Sequence, residues 1–118
     1  VRVKYGDRSH LFISGTASIG NKGDVLYVGD IRRQTLRMLE NIHALLSEGG
    51  SSFADLCMMI VYLRDIADYE IVRETFDEEG LQSVPRIFVH APVCRPTWLV
   101  ETECIAISPI GDKQFNDF

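Results

Sequence analysis

Leu56-Cys-Met-Met-Ile-Val-Tyr-Leu63 is the stretch on which the fold turns. It is continuously apolar, short, and rich in β-formers at its end. A run of this kind reads as a strand buried on both faces rather than as a half-exposed one, which would alternate. Such a strand needs cover on both sides, and the question is what the rest of the chain can supply.

Upstream, from Asp30 to Glu48, the apolar period becomes that of a helix. Ile31, Met38, Ile42, Leu45 and Gly49 follow one stripe, with Leu39 and Leu46 beside it. Gly49-Gly50 supplies the stop. Downstream, Asp65 and Asp68 start a second helix whose inner stripe is Tyr69, Val72 and Phe76, and Gly80 ends it. The chain opens on a hairpin, with Val1 to Tyr5 and His10 to Ser14 as strands around a Gly6-Asp7-Arg8-Ser9 turn. Gly15 to Asp24 reads as a loop, and Val25 to Val28 adds a short strand. Ile87 to Ala91 and Leu99 to Ile107 are the last two strands, joined through Pro92-Val-Cys-Arg-Pro96 as a second hairpin.

The order is an α+β one, β-β-α-β-α-β-β, with the short strand before the first helix. Two helices, each ~10 Å wide, cover one face of a five-strand sheet ~24 Å across. They do not cover the other. The far side of Leu56 to Leu63 is therefore expected to lie against another subunit, because exposing it would leave an apolar patch larger than soluble monomers carry. Residues 1–110 form one domain, and the polar tail from Gly111 to Phe118 is expected to be loose. The chain begins at Val1 without an initiator Met, which reads as a domain cut from a longer protein.

Composition narrows the partners. With 12 basic against 17 acidic residues the net charge is −5 over 118 residues, and no basic stripe exists to hold a phosphate backbone, which argues against nucleic acid. No apolar run approaches the ~20 residues of a membrane span. The three cysteines, Cys57, Cys94 and Cys104, show no Cys-x-x-Cys spacing. That fits neither a disulfide framework nor a zinc site and suits a reducing, cytoplasmic setting.

Familiar catalytic motifs are absent: there is no glycine-rich phosphate loop, no Gly-x-Ser-x-Gly and no His-Glu-x-x-His. His10 and His90 read as satisfied structural residues in strands, and His43 as a surface or half-buried helix residue. Cys57 and Cys104 read as small packed hydrophobes, while Cys94 stands in a loop beside Arg95, whose charge favours a thiolate. Arg86 and Glu101 are the charges that need explaining, since each falls in an otherwise apolar strand. A turn centred between Val93 and Cys94 would set them opposite one another. They then form either a structural ion pair or a site, with Arg86 clamping a substrate carboxylate through its planar fork and Glu101 handling water or a proton.

Several segments taken together resemble the RidA/YjgF family, also labelled L-PSP endoribonuclease. Ile13-Ser-Gly15 resembles the family's Ser-Gly strand end, and Gln34 to Gly50 its first helix. Val61-Tyr-Leu-Arg-Asp65 resembles the central strand, and Pro85-Arg86 with Glu101 fifteen positions later resembles the C-terminal signature. The resemblance implies a chorismate-mutase-like homotrimer with clefts between subunits and no metal or organic cofactor. It implies hydrolysis of reactive enamines and imines, such as 2-aminoacrylate and 2-iminopropionate. Arg86 would hold a small carboxylate ligand, Glu101 the attacking water, and Ser14 would line the cleft.

The chain departs from that pattern in places. It reads Val84-Pro-Arg-Ile87 where the family's deaminases show Pro-Ala-Arg-Ser, and Phe88 stands where a Cys is common. Arg73 takes the place of an Asn in the second helix, and Tyr5 is too close to the Ser-Gly element to serve as the cleft Tyr. Gly15-Thr-Ala-Ser18 and Cys94-Arg-Pro-Thr-Trp-Leu-Val-Glu101 also resemble the C-terminal half of chorismatases, in which Arg73 beside Arg86 would suit a dicarboxylate. A third alternative is a non-catalytic module that senses a small ligand.

Overall fold

In the computed structural model, which describes residues 1–118, the apolar stretch forms a strand, β3 (Leu56–Leu63), with the boundaries its pattern implies. Before it come β1 (Arg2–Lys4), β2 (Ser9–Ala17) and the helix α1 (Ile31–Glu48). After it come α2 (Tyr69–Glu78), β4 (Arg86–His90) and β5 (Val100–Ser108). Short 3-10 turns at Phe53–Asp55 and Ile66–Asp68 lead into β3 and α2, each opened by a side chain that caps it, Ser52 and Asp65 respectively.

α1 begins where the Asp30 carboxylate accepts from the Arg33 amide at 2.9 Å. It stops at Gly50, whose φ of +72° is open to glycine and strained for other residues. Its buried face is Gln34, Thr35, Met38, Leu39, Ile42 and Leu46. Leu45, expected on that face, is instead 43% exposed. It borders a depression that Gly15, Thr16, Asn41 and Trp98 also line. α2 buries Val72, Thr75 and Phe76. Fully burying side chains such as Met59, Val61, Leu63 and Phe76, all at 0% exposure, contributes about 1.5–3 kcal/mol each relative to leaving them in water.

The sheet order is β1-β2-β5-β3-β4, with every neighbouring pair antiparallel except β3 and β4, which run parallel. The closing hairpin expected from the sequence is therefore not formed. β4 returns from α2 alongside β3, as a strand does after a helical crossover, and β5 inserts between β2 and β3. The physical reason lies in β3. A strand apolar on both faces belongs inside the sheet, and β5 and β4 pair its two edges. The short strand expected at Val25–Val28 is reduced to one bridge between Ile19 and Val25. There the chain turns instead, with Tyr27 at φ +56°, its carbonyl accepting from Gln34 Nε2 at 3.2 Å and its ring under Arg33.

Both helices cover one face, where Met59, Val61, Leu63, Val100, Cys104 and Ala106 form the core with α1 and α2. On the other face the loop between β4 and β5 folds over one end. Val93 and Trp98 pack there with Ala17 and against Tyr62, and Trp98 Nε1 donates to the Ser18 carbonyl at 3.0 Å. The remainder stays open, with Phe12, Met58 and Ile107 each about two-fifths exposed. Cys57, expected to be packed, is exposed there, where β3 slips register between Leu56 and Met58. The segment from Gly111, expected to be loose, runs back along the β1–β2 turn. The Asp112 amide donates to the Tyr5 carbonyl, Gly6 donates to Asn116, and the Phe118 ring meets Tyr5 edge-on. No helix is long and apolar enough to cross a membrane.

Candidate active site

β5 alternates cleanly between faces, with Val100, Thr102, Cys104 and Ala106 buried and Glu101, Glu103 and Ile105 half-exposed. Both carboxylates thus project from the sheet's open face, next to the loop that carries Cys94. Glu101 is the Cα partner of Tyr62 on one side and of Ala17 on the other. Between Ile13 and Thr16, β2 slips register, and this irregularity carries Ser14 and Gly15 past β5. Glu101 consequently lies against Gly15, where a Cβ would stand 2.0 Å from Oε1. The glycine is what allows the carboxylate its position.

Gly15, Tyr62, Pro92, Val93, Cys94, Glu101 and Glu103 line a cleft of about 520 Å³. The Tyr62 hydroxyl donates to Glu103 Oε1 at 2.8 Å. That bond, aided by burial and by the charges of Glu103 and Glu101, pushes the phenol above its usual pKa, so it stays a donor. Ser14 lies in the adjoining depression, which shares Glu103 with the cleft. Arg64 supports the rim from below, donating to the carbonyls of Val93, Arg95 and Trp98 at 2.7–2.8 Å.

Arg86 is not part of this group within one chain. It is the partner of Met59, three residues from Tyr62 on β3, and so projects from the opposite face to Glu101. The pairing of Arg86 opposite Glu101 expected from the sequence is therefore replaced, because β3 separates their strands. Arg86 donates to Asp77 Oδ1 at 2.5 Å and to the Leu81 carbonyl, with Phe76 and Phe88 rings about 6 Å away. Phe88, packed edge-on to Tyr69, belongs to this inner face as well. Arg73 does come close to Arg86, since both bond Asp77, but that carboxylate and Glu70 already occupy it. The two arginines expected to suit a dicarboxylate thus share Asp77 as a partner, and Arg73 pairs with Glu70 besides.

His43 is exposed, and His90 bonds the Arg64 carbonyl at 3.2 Å. His10, expected to be satisfied, keeps a buried Nε2 without a partner among the Tyr5, Phe12 and Phe118 rings. Tyr5 serves in that cluster. No group of three or more His, Cys, Asp or Glu is arranged to hold a metal ion. Tyr62 and Glu103 were missed as site residues. The signal was present for Glu103, two positions from Glu101 on an alternating strand, whereas Tyr62 required knowing that β3 adjoins β5.

A family model described as Endoribonuclease L-PSP matches residues 3–108. The 3-aminoacrylate deaminase RutC of Acinetobacter baylyi is 32% identical over 97 residues, 81% of this chain and 77% of that one. A putative endoribonuclease of Thermotoga maritima superposes with a TM-score of 0.77 at 28% identity, covering 91% of this chain and 84% of that one. TdcF of E. coli, solved with bound serine, superposes with a TM-score of 0.72 at 25% identity, covering 90% and 84%.

Proposed function

Because this chain belongs to the Endoribonuclease L-PSP family, we propose that it hydrolyses small enamine and imine carboxylates to keto acids and ammonia. The observation that carries this reading is the Glu101 carboxylate, seated against Gly15 on the wall of an open cleft. A relative that shares 32% of its residues is a 3-aminoacrylate deaminase, the same class of chemistry. The endoribonuclease label suits this chain poorly. A net charge of −5 and two carboxylates in the cleft repel a phosphate backbone.

In the proposed reaction 2-aminoacrylate takes a proton at its methylene carbon and becomes 2-iminopropionate. Water adds to the imine carbon while Glu101 accepts its proton. The same proton passes to the nitrogen of the resulting carbinolamine; the C–N bond then breaks as the hydroxyl proton is lost to solvent, returning the one taken up at carbon, and ammonia and pyruvate leave. Glu101 ends as it began. Arg86 would clamp the substrate carboxylate. Its guanidinium carries five N–H donors, and Asp77 and Leu81 hold its plane fixed. Because Arg86 and Glu101 project from opposite faces of one sheet, a shared site takes them from two chains. We place the clefts in a homotrimer, whose interface would also cover Phe12, Met58 and Ile107.

The test measures keto-acid release from freshly generated 2-iminopropionate. Glu101→Gln and Arg86→Ala should each lose turnover, by about 100-fold or more for the missing base. Co-assembly of the two variants should restore part of the rate, since some clefts then receive both native residues. A stable monomer in sedimentation, or equal rates in all samples, would sink the reading.

A further inference from the structure

The two carboxylates of the cleft are not equivalent. Glu101 makes no side-chain hydrogen bond or ion pair, whereas Glu103 is held by the Tyr62 hydroxyl at 2.8 Å. The geometry of that bond follows from the sheet. Tyr62 is the Cα partner of Glu101, and Ile60 that of Glu103, so the phenol reaches diagonally across the ladder. The Tyr62 ring is itself packed against Ala17, Val93 and Trp98. Glu103 is thereby pinned in one place by a donor that is pinned in turn. One hydrogen bond does not exhaust a carboxylate, which has about four lone-pair sites.

On the wall formed by β3 and β5 the polar side chains are Glu101, Glu103 and a phenol whose proton is already given to Glu103; the other polar side chain lining the cleft, the Cys94 thiol on the β4–β5 loop, is a weak donor. The phenol remains protonated, raised by its bond to Glu103 first and then by burial, so it does not turn into a free donor. A ligand side chain lying here meets acceptors without donors. An alkyl group would desolvate Glu103 and return nothing, whereas a hydroxyl or ammonium would complete its hydrogen bonds. Sites built this way discriminate more sharply than apolar pockets do, because the wrong ligand leaves a polar group unpaired.

Taking the hydrolytic reading above as its basis, we infer that the Tyr62–Glu103 pair is a specificity device. It selects imino acids whose side chain donates a hydrogen bond over alkyl ones of the same size. Glu103 touches the substrate side chain. Tyr62 is a positioning residue that acts through Glu103. Glu101 remains free for water.

A near-isosteric pair tests this, with a hydroxyl exchanged for a methyl. The imines generated from serine and from 2-aminobutyrate are compared by kcat/KM, and 3-hydroxypyruvate and 2-oxobutyrate are compared by direct binding. The wild-type protein should favour the hydroxyl member of each pair by about tenfold or more. Glu103→Leu should remove or reverse the preference, and Glu103→Gln, which keeps an acceptor oxygen, should restore most of it. Tyr62→Phe keeps the ring and its packing while releasing Glu103, and should lower the ratio. A stabilising role alone would change neither ratio. No preference in the wild type, or a ratio unmoved by both Glu103→Leu and Tyr62→Phe, overturns the inference. The binding arm separates the two claims. A preference for 3-hydroxypyruvate without turnover of any imine would defeat the hydrolytic reading and leave the specificity device standing. Turnover without preference would do the reverse.

Discussion

Gly15 and Glu101 are in such close approach that no other residue fits at position 15 without moving the carboxylate: a Cβ there would stand 2.0 Å from Oε1 and 3.0 Å from Cδ. The obstructing atoms belong to the far end of a flexible side chain, and nothing else crowds that position. Gly15→Ala should therefore fold normally, with stability changed by less than about 1 kcal/mol. It should nevertheless cost about 100-fold in turnover, the usual penalty for misplacing a catalytic group by about 1 Å. Urea unfolding and steady-state kinetics on the same preparation check both halves.

Asp77 is the acceptor on which two arginines converge, Arg86 at 2.5 Å and Arg73 at 3.1 Å. Arg86 has 12% of its side chain exposed, so water replaces a lost partner poorly. Asp77→Ala should lower unfolding free energy by about 1–3 kcal/mol. It should also weaken keto-acid binding, because the guanidinium loses its fixed plane. Chemical denaturation and calorimetric titration of the variant read the two effects.

Burial pushes the Cys104 thiol up to about 12, with Cys57 and Glu103 adding to the shift. Since the thiolate is the reactive form, Cys104 should resist a thiol reagent in the native protein at pH 8 and react once unfolded. Cys57 and Cys94, both exposed, should label first. The unfolded chain releases this proton from about pH 9, while the folded chain keeps it until about pH 12. The stability it contributes is thus complete below pH 9 and is lost progressively above it. Denaturation midpoints between pH 8 and 11, compared with Cys104→Ala, measure the difference.

Asp7 is held down to about 2 by its bond from Arg8 and then by the Phe118 amide, which donates at 3.0 Å. A lowered carboxyl favours the docked state above its ordinary range and stops doing so as pH falls through that value. The tail should therefore remain docked at pH 5 and release between about pH 4 and pH 2. Hydrogen exchange at the Phe118 amide follows the release, and Asp7→Ala, which removes the acceptor altogether, should show it already at neutral pH. Slow exchange of that amide in the variant would contradict this account.

Much of the fold was legible along the chain. Leu56 to Leu63 announced a strand by its short apolar run, though in the single chain only the face of Met59, Val61 and Leu63 is buried, and α1 announced its inner face through Met38, Ile42 and Leu46. The bounds of both helices followed from Asp30, Asp65, Asp68 and the glycines after them. These are local signals, since a period or a cap depends on residues within about one or two turns. Leu45 escaped because its exposure depends on what packs across from it on other elements, which leaves it at the border of an open depression.

The site divides along the same line. Sequence alone picked out Glu101 and Arg86, as charges in apolar strands; Glu103 was missed, although its place two positions along an alternating strand puts it on the same face as Glu101. Which residues share a face across strands was beyond it. A strand's neighbours are chosen by competition among all the strands for hydrogen-bonding edges, and that choice is non-local. Once β5 settled between β2 and β3, Glu101 gained Gly15 and Tyr62 as neighbours, while Arg86 went to the other face and to Asp77. Composition and periodicity determined the elements and the charged candidates, because those depend on residues close in the chain. The order of the strands decided which candidates meet, because pairing is settled only when the whole sheet forms.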